Sequence, residues 1–261
     1  MAAVGLCAVF LLPPTAFALL AGLLLAGLGG WEAARLAGLD RAATRGLYAA
    51  LLLAAAFALM RWPQWSDPVW PMLSAALVWL FCLAWLARPA MGGLGRPAAV
   101  IVKSLTLAVI LLTAWLALSW LQARSPWLVV LLIVIIAAAD IGAYFFGRHF
   151  GRTRLAPRIS PGKTRAGAFG GLASAGVLTP PILVLLPIEP FGVLAAAPLA
   201  VLLALISIGG DLFISLLKRQ RNLKDTSALL PGHGGVLDRF DSLSAALPFY
   251  VLAIISLGPA V

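Results

Sequence analysis

Charge is scarce in this sequence. Only 11% of its 261 residues are Asp, Glu, Lys or Arg, against about 25% in an ordinary soluble domain. Acid is the scarcer sign, with 9 Asp+Glu beside 19 Lys+Arg. Cysteine occurs only as Cys7 and Cys82, each inside an apolar stretch, which excludes a disulfide framework and a zinc cluster. Two histidines without HExxH leave a zinc hydrolase without ligands, and the missing GxSxG leaves a Ser-His-Asp hydrolase without its nucleophile elbow. Internal repeats and inverted pairs of broken helices, the marks of solenoids and many transporters, are also missing. What is abundant is apolar: 62% of residues are hydrophobic. A soluble chain of this length could not bury so much apolar surface and keep a wettable exterior. The composition is that of a polytopic membrane protein. Lipid leaves backbone amides no outside partner, so the fold class is all-α.

A membrane-crossing helix needs about 20 mostly apolar residues. Eight stretches qualify, approximately Thr15–Leu36, Gly46–Met60, Pro68–Ala87, Ser104–Leu121, Pro126–Gly147, Gly167–Pro187, Phe191–Leu217 and Ser242–Val261. Val4–Leu12 is apolar but too short, and Pro13-Pro14 follows it; it reads as the tail of a shortened helix, which would make nine. The gaps holding Arg35 to Arg45, Arg88 to Lys103, Arg148 to Arg165 and Lys218 to Arg239 alternate along the chain. They carry 17 of the 19 basic residues, and only Arg61 and Arg124 fall elsewhere. Eight crossings place all four gaps on one face, which the positive-inside rule assigns to the cytoplasm. So placed, the basic excess suits anionic lipid and phosphates, and nucleic acid is not expected as a partner. The whole chain, 1–261, reads as a single membrane domain.

The remaining charges gather at that cytoplasmic face in three places. Asp140 lies near the end of the fifth span, with Tyr144 and Gly147 on the same helix face. A carboxylate at membrane depth is costly and marks a functional site by default. The Arg148–Arg165 gap contains Ser160-Pro-Gly-Lys-Thr164. On charge alone that gap is a topology determinant; its Gly, Lys and Thr resemble part of a phosphate cradle without Walker spacing. In the third place Ser207, Asp211, Ser215 and Lys218 form a polar stripe down an apolar helix. Hydrogen-bonded glue between helices would account for the serines, not for Asp211 beside Gly209-Gly210. Arg219, Arg221, Lys224, Asp225, His233-Gly-Gly235, Asp238 and Asp241 follow. Hard carboxylates, many cations and glycine-rich loops suit Mg²⁺ and phosphate chemistry. The residues therefore predict a metal-dependent enzyme acting on phosphates, built from about 140–166 and 207–241.

The stretch Ser215–Asp241, SLLKRQRNLKDTSALLPGHGGVLDRFD, resembles the signature of the phosphatidate cytidylyltransferases (CDP-diacylglycerol synthases). It matches S-x-x-K-R-x4-K-D-x-S-x2-L-P-x-H-G-G-x-x-D-R-x-D at every fixed position. The D-x-x-A-Y-x-x-G piece from Asp140, Ser160–Thr164 and Trp31-Glu32 are also similar to that family. One departure is Ala166, where the family generally has Glu.

The resemblance implies transfer of CMP from CTP to phosphatidate, releasing pyrophosphate, with Mg²⁺ as cofactor and a homodimer in the bacterial inner membrane. A second ion, a monovalent one included, is compatible with the same resemblance. By the same resemblance Asp211 and Asp238 are the expected metal ligands, with Asp241 and Asp140 in reserve. Lys218, Arg219 and Lys224 would hold CTP phosphates, and Lys163 and Thr164 would contact phosphate from the neighbouring loop. Ser215, Asp225, His233, Gly234, Gly235 and Arg239 would complete substrate binding. A polyprenol kinase using CTP is the nearest rival. A transporter is disfavoured because the charges sit at span ends instead of crossing the midplane.

Overall fold

The computed structural model describes residues 2–61, 68–90, 97–227 and 234–258. Within them a short helix, α1 (Ala2–Leu11), ends at the Pro13-Pro14 break. The second rod begins with Pro14 in the first helical turn, where a missing N–H costs nothing. It runs through α2 (Pro14–Gly22), a π-helical stretch (Leu23–Gly29) and α3 (Gly30–Ala37), stopping at Gly38 with φ of 110°. Then come α4 (Ala42–Met60), α5 (Val69–Leu86), α6 (Pro97–Arg124) and α7 (Pro126–Phe150). The chain closes with α8 (Arg165–Leu185), α9 (Val193–Gln220) and α10 (Leu237–Leu257). Eight of these units are long and apolar enough to cross a membrane, matching the eight expected stretches in order.

Two features depart from the all-helical expectation. Between α7 and α8 the chain forms an antiparallel hairpin, β1 (Arg154–Ala156) and β2 (Ser160–Thr164), with Arg154 paired to Thr164. Periodicity over three to five residues is too short to announce such strands. The other is the π-helical stretch, which shifts side-chain phase within the first span. Ala18 below it accepts a hydrogen bond from Trp115 Nε1 at 2.9 Å, and Glu32 above it is fully buried.

The C-terminal half of α7 and the N-terminal half of α8 pack through small residues. A Cβ on Gly171 would lie 2.6 Å from Ala139 O, and one on Gly167 would lie 2.8 Å from Ala143 O. Gly142 abuts Ser174 and Gly170 abuts Phe146 just as closely. Membrane helices gain little from hydrophobic burial against one another, so close backbone contact of this kind is what holds them. Gly171→Val should therefore push α7 and α8 apart, at about 1–3 kcal/mol for an overpacked contact. A lowered melting temperature in detergent is the expected readout. Phe169→Ala, at a position 73% exposed on the same helix, should leave it unchanged.

Candidate functional site

The site is built on the C-terminal end of α9. Asp211, Ser215 and Lys218 are spaced i, i+4 and i+7, so one helix face carries all three. Ser215 Oγ donates to Asp211 Oδ1 at 3.1 Å. Lys163, from β2, reaches across with Nζ 2.5 Å from Asp211 Oδ2. Both side chains of that pair remain 29% exposed, so water and ligands can reach them. Ser207, the first member of the stripe, bonds back to Ala204 O in its own helix and serves structure.

Asp241 comes to Asp211 through close helix packing. A Cβ on Gly210 would lie 2.6 Å from Asp241 O and from Ala245 Cβ, so α9 and α10 touch backbone to backbone beside Asp211. Asp241 Oδ1 accepts from Ser242 N at 2.7 Å. Asp140 and Asp241 both lie within electrostatic reach of Asp211 and Lys163. The expected Asp140 face also forms: Asp140, Tyr144, Gly147 and Arg148 line a cleft of about 570 Å³, closed by Arg154, Lys163 and Thr164. Thr164 caps α8, its Oγ1 accepting from Gly167 N at 3.0 Å. Ala166 sits half-buried in the first turn of α8.

A second cluster holds the loop between α9 and α10. Lys218 Nζ donates to Asp238 Oδ1 at 2.7 Å, and both side chains are nearly buried. Asp238 Oδ2 accepts from Thr226 N and Thr226 Oγ1, each at 2.8 Å, and from Gly235 N at 3.0 Å. Asp238 therefore anchors the loop and faces the rest of the site only through Oδ1, which it shares with Lys218. Four donors nearly fill a carboxylate's acceptor capacity.

Glu32 is the residue to which sequence reasoning gave no role. It is fully buried on α3, yet it accepts from Ser227 Oγ at 2.6 Å and lies 3.0 Å from Thr226 Oγ1, whose one proton it shares with Asp238. It also accepts from the backbone N–H groups of Val236 at 3.0 Å and Leu237 at 2.8 Å. It thus caps α10 in trans, a carboxylate at the positive end of a helix. An acid inside an apolar span was the available signal.

Other expected residues stand elsewhere. Arg219 bonds backbone, with Nε donating to Ile159 O at 3.2 Å and Nη1 to Leu223 O at 3.1 Å, so it ties the hairpin to α9. Lys224, Asp225 and Arg239 are exposed. Gly234 has φ of 80°, and a Cβ there would lie 2.9 Å from Asp238 Oδ2. A Cβ on Gly235 would press on Glu32 Oε1 and Thr226 Oγ1, so this glycine permits the loop to close on Glu32. His233 lies outside the described residues.

The described residues bring no three His, Cys, Asp or Glu side chains to one point. Asp211 and Asp241 instead offer a pair of hard oxygen donors, and Asp211 already takes an ammonium from Lys163. One or two carboxylates completed by substrate phosphates is the usual donor set for Mg²⁺.

Comparison with known proteins shows the family of the chain. Residues 1–257 match the cytidylyltransferase family. The chain is 40% identical over 257 residues to a phosphatidate cytidylyltransferase of Pseudomonas aeruginosa, covering 95% of this chain and 91% of that one. Over 131 residues, 47% of this chain and 44% of its relative, it is 45% identical to the Haemophilus influenzae phosphatidate cytidylyltransferase. With that of Brucella melitensis it shares 46% identity over 134 residues, half of this chain and 49% of the relative.

Proposed function

We propose, for a chain that belongs to the cytidylyltransferase family, the transfer of CMP from CTP to phosphatidate at the cytoplasmic face of a bacterial inner membrane. The products are CDP-diacylglycerol and pyrophosphate. The observation that carries this reading is the Lys163–Asp211 pair at the cleft that Arg148, Arg154 and Asp140 line. An open cationic cleft beside a carboxylate pair suits two phosphate-bearing reactants, one of them delivered from the bilayer.

A phosphatidate oxygen attacks the α-phosphorus of CTP, forming one P–O bond as the bond to the β-phosphate bridge breaks. The leaving group is pyrophosphate. A lipid phosphate is already anionic at neutral pH, so the step needs no strong base. It needs relief of charge repulsion and alignment for in-line attack. Lys163, Arg148 and Arg154 supply positive charge along the cleft, and Lys218 is held in place by Asp238. Mg²⁺, which Asp211 and Asp241 would hold with Asp238 Oδ1 beyond them, would neutralise phosphate charge there. Ser215 fixes the Asp211 carboxylate, and Arg219 fixes the hairpin from which Lys163 projects.

Purified protein given phosphatidate, Mg²⁺ and CTP labelled in the cytidine should move label into the lipid phase, with one pyrophosphate released per lipid formed. Label that stays in water, together with transfer from γ-labelled CTP to a polyprenol and release of CDP, would replace this reading with a lipid kinase.

A further inference from the structure

Lys103 stands apart from the site just described. It lies on α6 between the apolar first turns, residues 97–102, and the long apolar run that follows, and it is only 3% exposed. Among the described residues no acceptor meets its ammonium. Its charged neighbour is another cation, Arg221 at the end of α9. Arg221 Nε is buried and likewise without a hydrogen-bond partner. The Arg221 fork meets Asp40 through Nη2, but Asp40 is 69% exposed and answers only the solvent side. Gly38 closes the third side: a Cβ there would lie 3.9 Å from Arg221 Nη1 and 3.3 Å from Val100 Cγ2, one turn before Lys103 on α6. A buried lysine, a half-buried arginine with an unpartnered Nε and one carboxylate at the rim make a pocket short of negative charge.

Holding two cations together in a largely desolvated place with one carboxylate at its rim is costly. A bound anion offsets it, and the donors select the kind. An ammonium offers three N–H groups and the guanidinium edge one more, so a tetrahedral oxyanion with several acceptor oxygens satisfies both at once. The depth selects further. Lys103 stands where the apolar part of α6 meets the cytoplasmic end, the level of lipid phosphates.

We propose that Lys103 and Arg221 form a phosphate-binding site where α3, α6 and α9 converge, distinct from the Lys163–Asp211 cluster. The site takes one phosphate group, whether from an anionic lipid headgroup or from free phosphate in the cytoplasm. It holds the ends of three helices together, which the separate chemistry of Asp211 does not require.

The test uses the full chain and follows its melting temperature with two probes. One is inorganic phosphate added to protein in uncharged detergent. The other is phosphatidylglycerol titrated into phosphatidylcholine nanodiscs. The wild type should gain several degrees in a saturable way with at least one probe. A response to phosphatidylglycerol alone assigns the lipid headgroup, and a response to inorganic phosphate assigns the soluble anion. Lys103→Met should melt no lower than the wild type without anion and should respond to neither probe. Lys103→Arg should respond, and Arg221→Gln should lose most of the gain if Lys103→Met does not fold. A wild type that ignores both probes, or variants that respond as the wild type does, would overturn the proposal.

Discussion

Asp211→Asn should lower the rate of CDP-diacylglycerol formation by about 10²–10³-fold, the usual cost of removing one preorganised electrostatic group from a reaction centre. The substitution keeps size and shape, and Ser215 can still donate to the amide oxygen. What it removes is the charge that Lys163 meets at 2.5 Å and that Asp241 faces from α10. The pair is 29% exposed on both sides, so solvent already screens it. Pairs of that kind contribute at most about 1 kcal/mol to folding. The protein should therefore melt within a few degrees of the wild type while turnover collapses, and the Mg²⁺ concentration for half-maximal rate should rise. Activity near that of the wild type with an unchanged Mg²⁺ dependence would remove Asp211 from the ion site.

Glu32→Gln should have the opposite profile, losing stability and activity together. The carboxylate takes the Ser227 hydroxyl, two backbone N–H groups and a share of the one Thr226 hydroxyl proton that Asp238 also draws, all in the loop before α10 or at its first turn. An amide presents one oxygen and one NH₂, so two of those donors would face another donor. Leaving buried groups unpaired costs about 1–3 kcal/mol each. A total of about 3 kcal/mol corresponds to a fall of roughly 6–12 °C in melting temperature for a chain of this size. The same loop carries Thr226 and Gly235, which orient Asp238 and through it Lys218. The loss of activity follows from displaced positioning residues, and Glu32→Asp should recover part of both losses. A Glu32→Gln protein that melts and turns over like the wild type would show that the loop holds its shape without this carboxylate.

These two acids illustrate how much could be read from residue order. Asp211 was legible because it sits in a helical stripe with Ser215 and Lys218, a spacing that one helix enforces by itself. Asp140 with Tyr144 and Gly147 was legible for the same reason, and all three line the cleft. Glu32 was visible only as an acid beside Trp31 within a family resemblance. Its partners lie 194 to 205 positions away, and no local pattern encodes which loop an acid will meet. Arg219 was expected on phosphate from the family resemblance, and residue order gave no sign that its guanidinium also bonds the carbonyl of Ile159, 60 positions upstream. Asp238 was expected on a metal and is found holding Thr226, Gly235 and Lys218.

Composition and spacing alone determined the membrane class and the eight long apolar helices, and led to the expectation that the basic gaps share one face and that residues 207–241 carry the chemistry. Those properties follow from one-dimensional constraints: the bilayer fixes span length, unpaired amides force helices, and the membrane sorts basic loops to one side. Tertiary structure alone decided that Lys163 would cross from a hairpin to Asp211, that Gly210 would bring Asp241 beside it, and that Glu32 would cap α10. It also set the buried Lys103 beside Arg221, with Asp40 meeting Arg221 only on the solvent side. Each of these depends on which helices become neighbours and how closely their backbones approach, and small residues and buried polar pairs settle that only once the whole bundle is packed.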